Sequence, residues 1–239
     1  MGRAAKRSVL AALPLLCAIA AIYVVVASLG LHFATINKQS SPVWPASGLA
    51  LAVLCHFGRR SALAVLLGAA LANYLNGAPP VVALCIGVGN MIEAVIGCWV
   101  YQRISLYQKQ LELFTEPSAL VCAAVLSTPV SAIVGVGCLA AAGVIPSAAV
   151  GTAGLTWWVG DSLGDLIVAP VLLRLLSLSL PDIAKLWRAL PTCLPFLLLT
   201  LVGGHLLFSR VSSGPLIFLV YPVVLFSSIV WGGVIGQVI

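Results

Sequence analysis

The sequence predicts an all-α integral membrane bundle of about eight transmembrane helices with a cytoplasmic N-terminus, since one span takes roughly 20 apolar residues. Three observations carry this reading. First, 62% of the 239 residues are hydrophobic and only 8% are charged, whereas soluble domains carry about 25% charged residues. A water-soluble domain of this size still exposes a large surface, so lipid is the solvent that fits. Second, long apolar runs alternate with short polar or Pro/Gly-rich breaks. Third, the basic residues alternate from loop to loop.

The elements follow in order. Span one runs from about Ser8 to His32, behind the basic start Met1-Gly2-Arg3-Ala4-Ala5-Lys6-Arg7. Its apolar run exceeds the roughly 7–15-residue core of a secretory signal, so it is read as a retained span. A polar loop, Phe33 to Ser41, leads to span two, about Pro42 to Phe57, which stops at Arg59 and Arg60. Span three is about Ser61 to Leu75. The Asn76-Gly77-Ala78-Pro79-Pro80 turn breaks it, as Gly and Pro do. Spans two and three are short, which predicts tilted helices or a helical hairpin. Span four is about Pro79 to Tyr101. The most polar loop, Gln102 to Pro117, precedes span five, about Ser118 to Ala142. After the Gly143 to Ser147 turn, span six covers about Ala148 to Arg174. Span seven is about Pro191 to Phe208, and span eight starts near Gly214.

With the N-terminus inside, Arg3, Lys6, Arg7, Arg59, Arg60, Arg103, Lys109, Arg174, Lys185 and Arg188 fall on the cytoplasmic side. Lys38 and Arg210 fall outside, a split of ten against two among the 12 basic residues. That split obeys the positive-inside rule, and one missed span would scramble it. The net charge of +6 therefore reads as topology. The basic residues are scattered rather than clustered, which argues against a nucleic-acid partner. The eighth span reaches Ile239 with no basic residue after it, and a further cytoplasmic part is expected.

The seven cysteines, Cys17, Cys55, Cys85, Cys98, Cys122, Cys138 and Cys193, lie in apolar runs without a C-x-x-C pair. They read as small buried hydrophobes rather than a disulfide framework. His32, His56 and His205 share no metal-ligand spacing, so no metal site is expected. No phosphate-binding loop or nucleophile motif is visible, and no cofactor is expected.

Lipid makes buried polar groups conspicuous: a charge at mid-span costs roughly 2.5–3.5 kcal/mol on insertion scales. Three acids, Glu93, Asp161 and Asp165, lie inside spans. Glu93 and Asp161 lie at matching positions in spans four and six, each roughly 20 Å down at ~1.5 Å per residue. Asp165 shares a face with Asp161, and Asn90 with Glu93, by helical spacing. No Lys or Arg lies well inside a span to pair with them. Several arrangements meet that demand: protons on the carboxyls, a bound cation, a water-filled cavity, or hydrogen bonds to Trp157, Trp158 or Thr156. The acids then serve either as neutral cross-links between helices or as a proton, cation or ligand site.

Trp157 and Trp158 read as an interfacial belt or as a pocket wall. Gly160 and Gly164 form a G-x-x-x-G pattern that lets a neighbouring backbone come close, either within the bundle or in a homodimer. Pro170 can kink span six and free the carbonyl of Leu166. Span two opens irregularly at Trp44-Pro45-Ala46-Ser47-Gly48. One reading is a helix cap with Trp44 as an anchor at the outer interface. The other is a half-helix whose positive end faces an anionic ligand.

Two segments carry a family resemblance. One is Trp44-Pro45-Ala46-Ser47-Gly48-Leu49-Ala50 with Phe57-Gly58-Arg59-Arg60. The other is Trp157-Trp158-Val159-Gly160-Asp161-Ser162-Leu163-Gly164-Asp165 with Ala169-Pro170 and Leu172-Leu173. With Asn90 and Glu93, they resemble the MASE1 family of bacterial membrane-associated sensor domains, over essentially the whole chain. Trp231-Gly232-Gly233-Val234-Ile235-Gly236 resembles the family's last span without its basic residue. The resemblance implies an eight-helix sensory module of the inner membrane. It also implies a cytoplasmic output, fused or separate, such as a diguanylate cyclase, a cyclic-di-GMP phosphodiesterase or a histidine kinase. The chain encodes none of these outputs, so no enzyme activity is expected of it. The expected partners are the lipid bilayer, a small ligand or ion, and the output domain. A proton- or cation-coupled transporter is the alternative that the buried acids suggest. An intramembrane enzyme would need a nucleophile and a base within reach, and no such pair is visible.

Overall fold

The computed structural model describes residues 3–32, 43–110, 116–179, 181 and 184. The chain divides into two compact units, Met1–Leu176 and Ser177–Ile239. Predicted spans seven and eight lie in the second, outside the described residues. The first unit holds six α-helices, and no strand occurs among the described residues.

The helices are α1 (Arg3–His32), α2 (Pro45–Phe57), α3 (Ser61–Leu75), α4 (Pro80–Gln110), α5 (Glu116–Ala141) and α6 (Val150–Leu176), with a 3-10 turn at Ser147–Ala149. Leu13–Leu31, Pro80–Leu106 and Pro117–Ala141 are long and apolar enough to cross a membrane. Helix α6 matches their length at 27 residues but carries Asp161, Asp165 and Arg174.

The breaks have local causes. Helix α2 starts with Pro45 in its first turn, where the missing N–H costs nothing. Gly77 ends α3 at φ +93°, and Ala78 N–H donates to Asn73 C=O at 3.0 Å. Gly143 ends α5 in the same way at φ +67°, with Val144 N–H donating to Leu139 C=O at 2.9 Å. Both are Schellman stops, for which a residue without Cβ is suited.

The segment predicted as the most polar loop, Gln102 to Pro117, is helical as far as Gln110. Residues 102–110 contain no Gly or Pro, so nothing stops α4 where the apolar run ends. The Arg103 guanidinium lies 6.0 Å above the Trp99 ring one turn earlier, a cation–π contact that suits a continuing helix.

Packing follows side-chain size. Helix α1 packs on α3, α3 on α4, α4 on α5 and α5 on α6, while α2 touches α1, α3, α4 and α6. Helix α2 thus occupies the middle, and Ala46 to Leu54 are all buried. A helix that is apolar all round is one surrounded by others. At 13 residues it is roughly 20 Å long, shorter than the ~30 Å apolar core of a bilayer. Helix α3 buries Ala62, Ala64, Val65, Gly68, Ala69 and Ala72 and exposes Leu63, Leu67 and Leu71. Small residues inside and bulky aliphatic ones outside are the pattern of helices that associate within lipid. The cysteines depart from their reading as buried residues: Cys98 is buried, Cys55, Cys85, Cys122 and Cys138 are half-buried, and Cys17 is exposed.

Candidate polar site in the bundle core

The irregular start of α2 lies against α6. Trp44 N–H donates to the carbonyl of Gly160 at 2.9 Å, and Ser47 N–H donates to the carbonyl of Trp44 at 3.1 Å. A Cβ on Gly164 would collide with the Trp44 carbonyl oxygen, and one on Gly48 with the Gly164 carbonyl oxygen. The G-x-x-x-G pair thus receives a backbone within the same bundle. Gly160 is ten residues past Val150, so α2 begins roughly 15 Å along α6. Irregular backbone away from water is tolerated when it is buried in protein, and here Trp44 and Ala46 to Gly48 are buried.

The Trp44 ring turns into the bundle. It is 8% exposed, and its ring covers Gly30 of α1, where a Cβ would come within 2.8 Å of Cζ3. The narrow gap left by Gly30 admits the ring into the core. Beside the first turn of α2 stands the protein's own Asp161, whose carboxyl Ser47 approaches.

Asp161 gathers the site. Ser131 of α5 donates its hydroxyl to Asp161 Oδ2 at 2.7 Å, and Glu93, Ser47 and Trp157 approach the same carboxyl. Asp165 lies within electrostatic reach of Asp161 and Glu93. The three acids are 1–3% exposed, and Glu93 of α4 lies beside Asp161 of α6. Asn90 is buried one turn from Glu93, with its amide oxygen unpartnered. Trp157 packs on α5, where a Cβ on Gly135 would come within 2.6 Å of Cη2. Pro170 lies within α6, which continues to Leu176.

Tyr23 and Ser131 are contributors that escaped the sequence reading, as did Ser127 and Thr128, buried beside Ser131 on α5. Tyr23 is fully buried on α1 and lies within electrostatic reach of Glu93, Asp161 and Asp165. Its one signal in the sequence is a lone phenol within an apolar run. Ser127, Thr128 and Ser131 recur at helical spacing in the middle of α5, a pattern that marks a polar face. Thr128 gives its single hydroxyl proton to the Ala124 carbonyl at 2.7 Å, so Ser162 of α6 is the donor in the 2.8 Å bond between the two hydroxyls.

Trp158 does not join the acids. It is half-buried and lines an apolar groove of about 510 Å³ between α5 and α6, with Pro129, Ile133 and Gly154. Its indole N–H donates to the Val125 carbonyl at 3.4 Å. Pro129, four residues later, has no N–H for that carbonyl, so the indole takes the missing donor's place. Thr156 bonds within its own helix, to the Thr152 carbonyl at 2.9 Å.

Six buried polar atoms in and around the acid site lack a hydrogen-bond partner: Tyr23 Oη, Ser47 Oγ, Asn90 Oδ1, Glu93 Oε2, Ser127 Oγ and Asp165 Oδ1. Unmet partners at this density are rare in buried protein. Among the described residues, no three His, Cys, Asp or Glu side chains converge closely enough to hold a metal ion.

A helical membrane bundle with small-residue packing and an acidic core is the class that this architecture defines. The MASE1 family model matches residues 15–236, and the chain belongs to that family of membrane-associated sensor domains. No curated protein and no solved structure matches the chain.

Proposed function

We propose that the chain is the sensory input module of a bacterial inner-membrane signalling protein, crossing the membrane eight times from a cytoplasmic N-terminus. It regulates a cytoplasmic output, fused or separate, such as a diguanylate cyclase, a cyclic-di-GMP phosphodiesterase or a histidine kinase. Family membership and the ten-to-two distribution of basic residues support this reading. The observation that carries the switch is the Asp161 carboxyl, which is met by Ser131 of α5, Glu93 of α4 and Ser47 of α2. An event at that carboxyl bears on four helices at once. A stimulus shifts such a joint by its differential affinity for two packings.

The test compares wild type with Asp161→Asn at equal membrane levels in the native bacterium. Cyclic-di-GMP concentration and histidine phosphorylation are the readouts. A change in either, with insertion intact, is the expected result. Unchanged outputs would remove Asp161 from the switch.

A proton- or cation-coupled transporter is the second reading, favoured by three buried acids with no Lys or Arg well inside their spans. Proton or sodium uptake into proteoliposomes that appears only with an added substrate would support it, and uptake unchanged by every substrate tried would count against it.

A further inference from the structure

One corner of the bundle gathers arginines and aromatic side chains that the acid core does not use. Gly58, at φ +83°, closes α2 by donating its N–H to the Leu54 carbonyl at 2.9 Å. Ser61 N–H then donates to the Gly58 carbonyl and Ala62 N–H to the Arg59 carbonyl, both at 3.1 Å, and α3 begins. Arg59 and Arg60 are therefore held in a tight turn between two helix ends, with both side chains exposed.

Two packing contacts set this turn against α4. A Cβ on Gly97 of α4 would lie 3.3 Å from Leu51 Cδ1 of α2, and one on Gly87 would lie 2.7 Å from the Leu66 carbonyl oxygen of α3. Short turns join α2 to α3 and α3 to α4, so α2 and α4 run the same way. Counting from each contact to the end of α2 at Phe57 and the start of α3 at Ser61 puts the turn between the levels of Ile92 and Arg103. Trp99 lies in that stretch. Arg59 is within electrostatic reach of Cys98, the residue before Trp99, and the Arg103 guanidinium lies 6.0 Å above the Trp99 ring. Phe57, Leu63 and Trp99 are exposed beside these arginines.

The corner is amphipathic. A guanidinium pairs with phosphate through two parallel hydrogen bonds, and Arg and Trp near the ends of membrane-crossing helices lie at the headgroup level. Among the described residues, the acidic side chains are Glu93, Asp161 and Asp165, all buried in the core, so none of these three neutralises the corner. A free anion would use the arginines alone. A phospholipid uses the arginines for its phosphate and the apolar side chains for its acyl chain, as basic pockets between membrane helices do.

We propose that Arg59, Arg60 and Arg103, with Phe57 and Trp99 beside them, form a binding site for one anionic phospholipid. The site is separate from the acid cluster and does not depend on the reading of that cluster as a switch.

The experiment is native mass spectrometry of the 239-residue chain released from detergent micelles. Phosphatidylglycerol is titrated against phosphatidylcholine with the same acyl chains. The expected result is one phosphatidylglycerol held roughly tenfold or more tightly than phosphatidylcholine, with that preference falling about fivefold for each arginine removed. The variants are Arg59→Gln with Arg60→Gln, and Arg103→Gln alone. Arg174→Gln removes the same charge from α6, which packs on α2 and α5, and should leave the preference intact. Equal retention of the two lipids by wild type overturns the proposal, whether or not any variant folds. Equal losses from Arg174→Gln and Arg103→Gln would reduce the effect to general attraction by basic residues and overturn it as well. So would displacement of phosphatidylglycerol by millimolar inorganic phosphate, which would assign the guanidiniums to a free anion.

Discussion

The backbone N–H of Trp44 donates to the carbonyl of Gly160 at 2.9 Å, joining the first residue before α2 to the middle of α6. One residue beyond Gly160 is Asp161. The strap that positions the central helix and the carboxyl that gathers the polar site are therefore neighbours on one turn. Movement of α6 at that turn is felt by α2 directly, through backbone, with no flexible side chain between.

Gly164 is the sensitive point of this joint, because a Cβ there meets the Trp44 carbonyl oxygen, which is backbone and cannot rotate away. Gly164→Ala should destabilise the bundle by about 1–3 kcal/mol, the usual cost of overpacking, and Gly164→Leu should prevent folding. Gly137 and Gly151 meet nothing within 4 Å, so Ala at either should stay within about 0.5 kcal/mol of wild type. Thermal unfolding of the four variants in one detergent measures the contrast. Equal losses at Gly164 and Gly137 would refute the close approach.

Trp44 gives a test of placement. With the ring 8% exposed over Gly30, a variant retaining Trp44 alone should fluoresce at short wavelength. It should resist quenching by iodide and by lipids brominated at the headgroup end. An interfacial Trp44 would be quenched by both. Gly30→Val should release the ring and raise the quenching, since the Cβ site lies 2.8 Å from Cζ3.

The sequence was most legible where one residue type has one physical use. Apolar runs gave the six described helices, and Gly77 and Gly143 gave their stops, because periodicity and punctuation are local properties. The acids were legible for the same reason: a carboxyl in an apolar run is costly wherever the run packs. The end of α4 was misread because polarity marks where lipid stops, not where a helix stops. The burial of Trp44 was not legible because an aromatic beside proline looks the same at an interface as in a core. Only Gly30, on another helix, decides between them. Tyr23 and Ser131 were missed because hydroxyls are cheap enough to occur in spans without purpose. Their role arises from which helix faces which, and spacing along one chain does not carry that.

Two cysteine pairs report helix neighbours. The thiols of Cys55 on α2 and Cys98 on α4 interact directly, as do those of Cys85 on α4 and Cys138 on α5. A short thiol-to-thiol cross-linker in membranes should join each pair within one chain, read by mass spectrometry of the digested protein. Cys17 and Cys122 should label singly. A Cys55–Cys138 product in place of these two would contradict the packing of α4 between α2 and α5.

Trp158, Val125 and Pro129 make the most specific prediction, because three residues share one hydrogen bond. Proline at 129 leaves the Val125 carbonyl without its helical donor, and the Trp158 indole supplies one at 3.4 Å. Trp158→Phe keeps the aromatic bulk in the groove and removes only the N–H. It should cost on the order of 0.5–1.5 kcal/mol, the range for hydrogen bonds between membrane helices. Pro129→Ala restores the N–H of the helix, so in that background the indole has no vacancy to fill. Trp158→Phe should then cost close to nothing, and the double-mutant cycle should return a coupling energy near the single-variant loss. Equal losses from Trp158→Phe in both backgrounds would mean that ring packing in the groove, not the orphaned carbonyl, holds Trp158 against α5.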